Sequence, residues 1–305
     1  MKKIIIITIL ITSFAKAQTD IDAIMMDKNN LCIGPMYSYS SWKNYWEGTL
    51  KRDNQNLGTV STSMFSIMGN YGISRQLNFL FGLPYISTNA SAGQLKGMSG
   101  FQDISMWLKY EVYNKKKGKG FLSAYAIGGL SLPSSNYVAD FLPMSIGLQS
   151  TNFSLRGLLD YELGKWFVTG SATYTFRSNI QLDRTAYYTT RMHYTNQVEM
   201  PNTFNTNFRI GYRHNENIAE IFVDDFTTLG GFDITRNNMP FPSNRMNATR
   251  IGGAFKYNTN LIDGLSIVGN VSTTLAGRNV GQSSGFGAGL FYILDFNKKE
   301  KNIEK

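Results

Sequence analysis

By type, the residues of this 305-residue chain that could do chemistry are two histidines (His193 and His214), one cysteine (Cys32), the adjacent acids Asp224 and Asp225, and the glycines at 285, 287 and 289. A histidine beside a serine would activate a hydroxyl nucleophile. Two carboxylates on one face would divide acid and base roles. Clustered His, Cys and carboxylate side chains would hold a metal, and a glycine-rich turn ahead of a helix would cradle phosphate. The spacing supports none of these. His214 falls in a short turn, and His193 in a long connection among Tyr187, Tyr188, Arg191 and Tyr194. Asp224 and Asp225 are neighbours in a period-two segment and point to opposite faces. The three glycines lie inside a strand. Cys32 is single, so it makes no internal disulfide, and it reads as a packed thiol in or before the first strand. No catalytic residue, cofactor or metal is expected, and the chain is read as a non-enzyme.

The remaining charges occupy alternate positions of long segments, and those segments decide what the charges can do. In Trp166 to Arg177 one face carries Trp166, Val168, Gly170, Ala172, Tyr174 and Phe176, and the other carries Phe167, Thr169, Ser171, Thr173, Thr175 and Arg177. That is a strand alternation sustained over the whole segment. Strands of soluble domains usually run about five or six residues, whereas a tilted strand crossing a bilayer takes about 9–11. Gly164 and Lys165 make a two-residue turn, with Gly where a type II′ turn needs positive φ, and pairing across it sets Leu163 opposite Trp166, Tyr161 opposite Val168 and Leu159 opposite Gly170. Three further hairpins keep apolar faces matched. Tyr71, Gly69 and Ile67 meet Phe79, Phe81 and Leu83. Tyr212, Ile210 and Phe208 meet Ala219, Ile221 and Val223. Tyr257, Phe255 and Ile251 meet Leu265, Ile267 and Val271.

Extending this reading predicts twelve strands near 33–44, 59–73, 77–88, 101–113, 121–132, 152–163, 166–178, 203–213, 218–229, 248–257, 265–276 and 284–296. Short connections (74–76, 114–120, 164–165, 214–217, 258–264) alternate with long ones such as 89–100, 133–151, 179–202 and 230–247. Transmembrane barrels have short periplasmic turns and longer external loops, so the expected fold is an all-β, antiparallel transmembrane barrel with periplasmic termini. Tyr71, Tyr110, Tyr161, Trp166, Tyr212 and Tyr257 share one depth and the outward face, which predicts an aromatic girdle at the short-turn end.

Backbone groups have no water partners in lipid, so only a closed ladder can cross with apolar side chains outward. Polar side chains then go to the bore. The parity sends Arg156, Asp160, Arg209, Arg213, Glu220, Asp224 and Lys256 inward, together with Asp103, Lys109, Glu111, Arg177, Asn205, Asn207 and Arg250. Arg156, Arg209 and Asp224 fall near mid-height, and Arg209 lies diagonally from Asp224 across one hairpin. Two readings fit: a charged constriction that sets what passes, or a mutually neutralised ladder filling a narrow barrel. Asp225 on the outward face is a local misfit unless it lies at the headgroups or beside a bulge. The connection 43–58, with Trp42, Tyr45 and Trp46 at its base, is a candidate aromatic mouth for an apolar ligand, or simply part of the outer girdle.

The ends fit export. Met1-Lys2-Lys3 is a basic leader, Ile4 to Phe14 an apolar core too short to span a bilayer, and Ala15-Lys16-Ala17 a cleavage site. The expected organisation is a signal peptide over 1–17, an outer-membrane barrel over 18–296 and a charged periplasmic tail over 297–305. The formal net charge of +9 falls by three without Lys2, Lys3 and Lys16, leaving +6. Lys115, Lys116, Lys117 and Lys119 cluster in one connection, and more lysines lie in the tail. No nucleic-acid motif accompanies them, so solvated turns are the reading and no nucleic-acid partner is expected.

Phe81-Gly-Leu-Pro-Tyr85, then Gly100-Phe-Gln-Asp103 running to Tyr110, then Leu130-Ser-Leu-Pro133, then Met144-Ser-Ile-Gly-Leu-Gln and the segment from Asn152 to Tyr161 come in a succession that resembles the outer-membrane channel-like proteins associated with meta-pathway phenol degradation. The clear resemblance covers about residues 60–180. It departs at Ser131 to Ser135, where the family tends to a Pro-Thr-Gly-like turn. It carries no catalytic residues, and it implies passage of small hydrophobic or aromatic compounds across the outer membrane. The expected protein is therefore a monomeric porin-like transport channel of the Gram-negative envelope, surrounded by outer-membrane lipid and carrying a small-molecule solute. The loops 89–100, 133–151 and 179–202 would cover its mouth. The alternative is a non-conducting barrel presenting loops for adhesion or structure; a lipid-acting barrel enzyme comes third.

Overall fold

Alternation of apolar and polar side chains over a dozen residues leaves each strand one face for lipid and one for a wet interior. The only way to satisfy every backbone group is then closure. The computed structural model describes residues 21–234, 238–259 and 262–297. The expected signal peptide and the lysine-rich tail fall on residues 1–20 and 298–305, outside the described residues. Among the described residues twelve long strands follow one another: β1 (Asn30–Trp42), β2 (Val60–Gly72), β3 (Leu77–Ala90), β4 (Asp103–Lys117), β5 (Gly120–Pro133), β6 (Asn152–Leu163), β7 (Trp166–Arg177), β8 (Thr203–His214), β9 (Asn217–Thr228), β10 (Asn247–Asn258), β11 (Leu265–Arg278) and β12 (Ser284–Asp295). Each pairs antiparallel with the next, and β1 pairs with both β2 and β12, closing the barrel.

The exterior is the lipid face that closure requires. Outward-facing Phe65, Leu108, Leu155, Leu159, Ile221, Val271 and Leu290 are all exposed at mid-barrel. Tyr110, Tyr161, Trp166 and Tyr257 are exposed near the short turns, and the Trp166 and Tyr212 rings meet edge to face at 5.3 Å. Asp225, the apparent misfit, sits near the loop end of β9. There Thr249 Oγ1 donates to its carboxylate at 2.7 Å and Thr206 pairs opposite it, making a small polar patch at the edge of the apolar band.

Three of the four expected hairpin registers are observed as read. The β10–β11 hairpin is displaced by two residues: Tyr257 pairs with Ile267 and Phe255 with Gly269. The Thr259 amide donates to the Leu265 carbonyl at 3.0 Å, so the ladder runs further into the connection than expected and β11 shifts along β10. A shift of two keeps every side chain on its own face. The β8–β9 turn is also tighter than expected, with Asn215 and Glu216 both at positive φ (46° and 67°), the geometry of a two-residue type I′ turn. At the closing seam Gly34 is obligatory in another way. A Cβ there would lie 1.9 Å from the Leu290 carbonyl oxygen, so no side chain fits where β1 meets β12.

Candidate functional site: the bore of the barrel

The bore is not evenly filled. Residues 21–26, which precede β1, lie inside the barrel wall. Lys109 on β4, whose side chain is fully buried, donates to the Asp22 carbonyl at 2.6 Å, the Asp22 carboxylate at 3.1 Å and the Ile24 carbonyl at 2.9 Å. Tyr125 on β5 donates to the Ala23 carbonyl at 2.8 Å. Ala23 and Met25 pack against Trp107, Tyr125, Ile127 and Leu158 on β4–β6. Met26 packs with Cys32 and Phe291, which makes Cys32 a core thiol. The segment thus fills the half of the bore bounded by β4–β6. Sequence reading missed it. Its signals were the apolar run Ile21 to Met26 with a single acid, and an inward lysine at 109.

The seven bore residues expected from parity divide into groups. On β6–β8, Arg213 Nη1 reaches both the Asp160 and Glu162 carboxylates at 3.1 Å and lies over the Phe167 ring at 3.7 Å. Thr169 donates to Asp160. Arg156 donates from Nε to Thr173 at 2.7 Å and stacks over Trp107 at 4.8 Å, a contact of about 0.5–2 kcal/mol. On β8–β10 the pairing differs from the diagonal expected. Arg209 takes the other diagonal, pairing with Glu220 and donating from Nε to Asn207 at 2.7 Å. Asp224 pairs instead with Arg250 at 2.7 Å and accepts from Asn205 at 3.1 Å. Lys256 is buried beside them on β10.

Among the described residues the two larger voids of the bore lie on the side away from β4–β6, and a small one of about 50 Å³ sits beside Trp107, Met68 and Phe291. The lower, about 380 Å³, is bounded by Arg209, Glu220, Asp224, Arg250 and Lys256 on one side, by Met36, Met68, Val268 and Phe291 on another, and by Ile21 and Asp22 of the inserted segment. The upper, about 410 Å³, runs from Ser272 and Arg250 to Ser283 and Gly281 near the loops. Arg250 and Ser272 line both, so the Asp224–Arg250 pair stands where they meet. Arg156, Asp160 and Arg213 border neither void. They belong to the filled half.

The long loops have cores of their own. Ile180, Leu182, Tyr187, Val198 and Met200 pack with Ala139 and Phe241, and Met144 is fully buried against Leu57 and Val60. Arg184 ties loop 178–202 to Asp140 at 2.7 Å. His193 stacks on Tyr187 at 4.8 Å and bonds Thr189, so it serves the loop packing. Asn279 joins three loops: its side chain bonds the Gly48 and Ile234 amides, the Asp233 carboxylate and the Arg245 carbonyl. The guanidinium of Arg278 holds the Asp233 carboxyl below its ordinary value, and burial pushes the Tyr137 hydroxyl above its own. Trp46 turns away from the expected aromatic mouth and is buried, and a Cβ at Gly277 would strike its ring.

The model of the family described as "Putative MetA-pathway of phenol degradation" matches residues 50–290. The chain belongs to that family. No protein of curated function matches the sequence. The crystal structure of an outer membrane channel from Pseudomonas putida F1 is similar at 15% identity, over 91% of this chain and 99% of that one, with a TM-score of 0.72. The translocator domain of the autotransporter NalP from Neisseria meningitidis is 10% identical over 89% and 90% of the two chains, with a TM-score of 0.46. The first likeness shows that this family member shares the closed β-barrel fold of that channel. The segments from Phe81 to Tyr161 that carry the resemblance in sequence map onto β3–β6 and the connections between them, and β4–β6 face the inserted segment.

Proposed function

We propose that this barrel is an outer-membrane channel for passive passage of small molecules with an apolar or aromatic body. Solute would move along the β9–β12 and β1 wall, with the short turns in the periplasm and one chain forming the channel. The observation that carries this reading is the pair of voids meeting at Asp224 and Arg250. The lower void sets methionine, valine and phenylalanine opposite a charged wall, a surface suited to a solute with an apolar body and one polar end. The match to a family described by phenol degradation and the likeness to a solved channel agree with it. Asp22 and Ile21 narrow the lower void, so full opening needs the inserted segment displaced.

The packed loops favour the second reading, a barrel that presents its loops without conducting. Planar-bilayer recording separates the two. The full chain is expected to conduct, and Arg250→Ala to raise conductance and move selectivity toward cations, because Asp224 is left unpaired at the junction. Silent bilayers for both proteins, with insertion confirmed, would favour the loop-presenting barrel.

A further inference from the structure

A separate cavity, about 890 Å³, opens among the long loops, bounded by 42–57, by Gln94 and Leu95, and by Pro143, Met239 and Pro240. Its size falls in the range of ligand pockets, about 300–1,000 Å³. We infer that it is a binding site for a neutral oligosaccharide.

Asn54 points to a ligand. It is 7% exposed and lines the cavity. Its Oδ1 accepts from the Leu57 amide at 3.2 Å, while its Nδ2 has no partner among the described residues. A buried amide donor left unmatched is unfavourable, and an acceptor on a bound molecule would relieve it. Gln55, Asn56 and Gln94 add three exposed carboxamides around it. Each offers donors and an acceptor together, which matches a hydroxyl that also does both.

The charges select against an ionic ligand. Arg52 pairs with Glu47 at 2.7 Å and Lys43 with Asp53 at 3.6 Å, and the Lys51 ammonium sits 5.9 Å from the Trp46 ring. Arg52 and Asp53 at the rim are thus paired within the protein, and an ionic ligand would compete with Glu47 and Lys43 for them. An apolar ligand fits no better, since it would strip water from three exposed carboxamides, leave the Asn54 Nδ2 unmatched and return no hydrogen bonds. The wall beside them supplies Trp42 and Tyr45, centroids 6.2 Å apart and tilted by 60°. Aromatic rings with clustered carboxamides suit a sugar ring, whose C–H face packs on an aromatic while its rim hydroxyls meet the amides.

The test is equilibrium binding rather than current, so its result stands apart from whether the barrel conducts. The full chain in a detergent without sugar headgroups is titrated with maltohexaose, cellotetraose and xylohexaose by calorimetry, with phenol as comparator. Saturable binding of at least one sugar is expected, weakened about tenfold by Asn54→Leu, the loss of one hydrogen bond from a buried donor. Gln94→Leu, at an exposed position that leaves folding unaffected, should weaken it in the same direction. No saturable binding across the panel overturns the inference. So does sugar binding that both substitutions leave unchanged, or phenol binding that they weaken while sugar binding is absent.

Discussion

Lys109→Met is expected to release the inserted segment and raise single-channel conductance several-fold. The ammonium is fully buried and holds three oxygens of residues 22–24, so it is the main polar anchor of the segment. Removing it takes the ammonium at 3.1 Å away from the Asp22 carboxylate, 12% exposed. Breaking one side of a buried ion pair costs about 3–5 kcal/mol, and even ~3 kcal/mol is about two powers of ten in the ratio of docked to released segment. The apolar contacts of Ala23, Met25 and Met26 remain, so release should be a shift in population while the barrel stays intact. Limited proteolysis at Lys28 provides a second readout, with faster cleavage expected in the variant. Lys109→Arg, which keeps the charge, should stay close to the parent in both. Unchanged current and unchanged cleavage in Lys109→Met would remove the segment from any role in occluding the bore.

Glu220→Ala should be the most destabilising single change on the opposite wall, by about 3–5 kcal/mol. Arg209 and Glu220 expose 7% and 9% of their side chains, so the guanidinium would lose its ion-pair partner while held against Phe222 at the edge of the lower void. Neutral Asn207 accepts one of its hydrogen bonds but supplies no countercharge, and Asp224 on the other diagonal is already paired with Arg250. Replacing both partners, Arg209→Met with Glu220→Met, removes the unpaired charge and is expected to recover most of the loss. The denaturant midpoint of the refolded barrel in detergent micelles measures both. A double variant as unstable as the single one would mean that packing, and not the unpaired charge, sets the cost.

Much of the barrel was legible because a strand's side-chain period is two and a membrane imposes one sign on each face. Trp166 to Arg177 could be read as a membrane strand from its alternation alone, and the turn at Gly164 followed from glycine's tolerance of positive φ, observed at 64°. The β10–β11 register was less legible because a shift of two preserves both faces, and a backbone bond from Thr259 leaves no side-chain trace. Parity carried the bore residues inward but not their partners. Arg209 has acids on both diagonals, Glu220 and Asp224, and Arg250 on the next strand claims the second. The inserted segment was the least legible part. Residues 21–26 are too short to show a period, and their docking depends on Lys109, which lies far away in sequence and had no acid assigned to it by any hairpin.

Passage through this barrel needs an open path along the β9–β12 and β1 wall, with the β4–β6 side filled. Single cysteines placed in a Cys32→Ser background at Ser272, which lines both voids, and at Thr169, 1% exposed on the filled side, can be challenged with a membrane-impermeant thiol reagent during bilayer recording. Ser272→Cys should react and reduce the current, while Thr169→Cys should stay silent. Block at Thr169→Cys with none at Ser272→Cys would contradict the account.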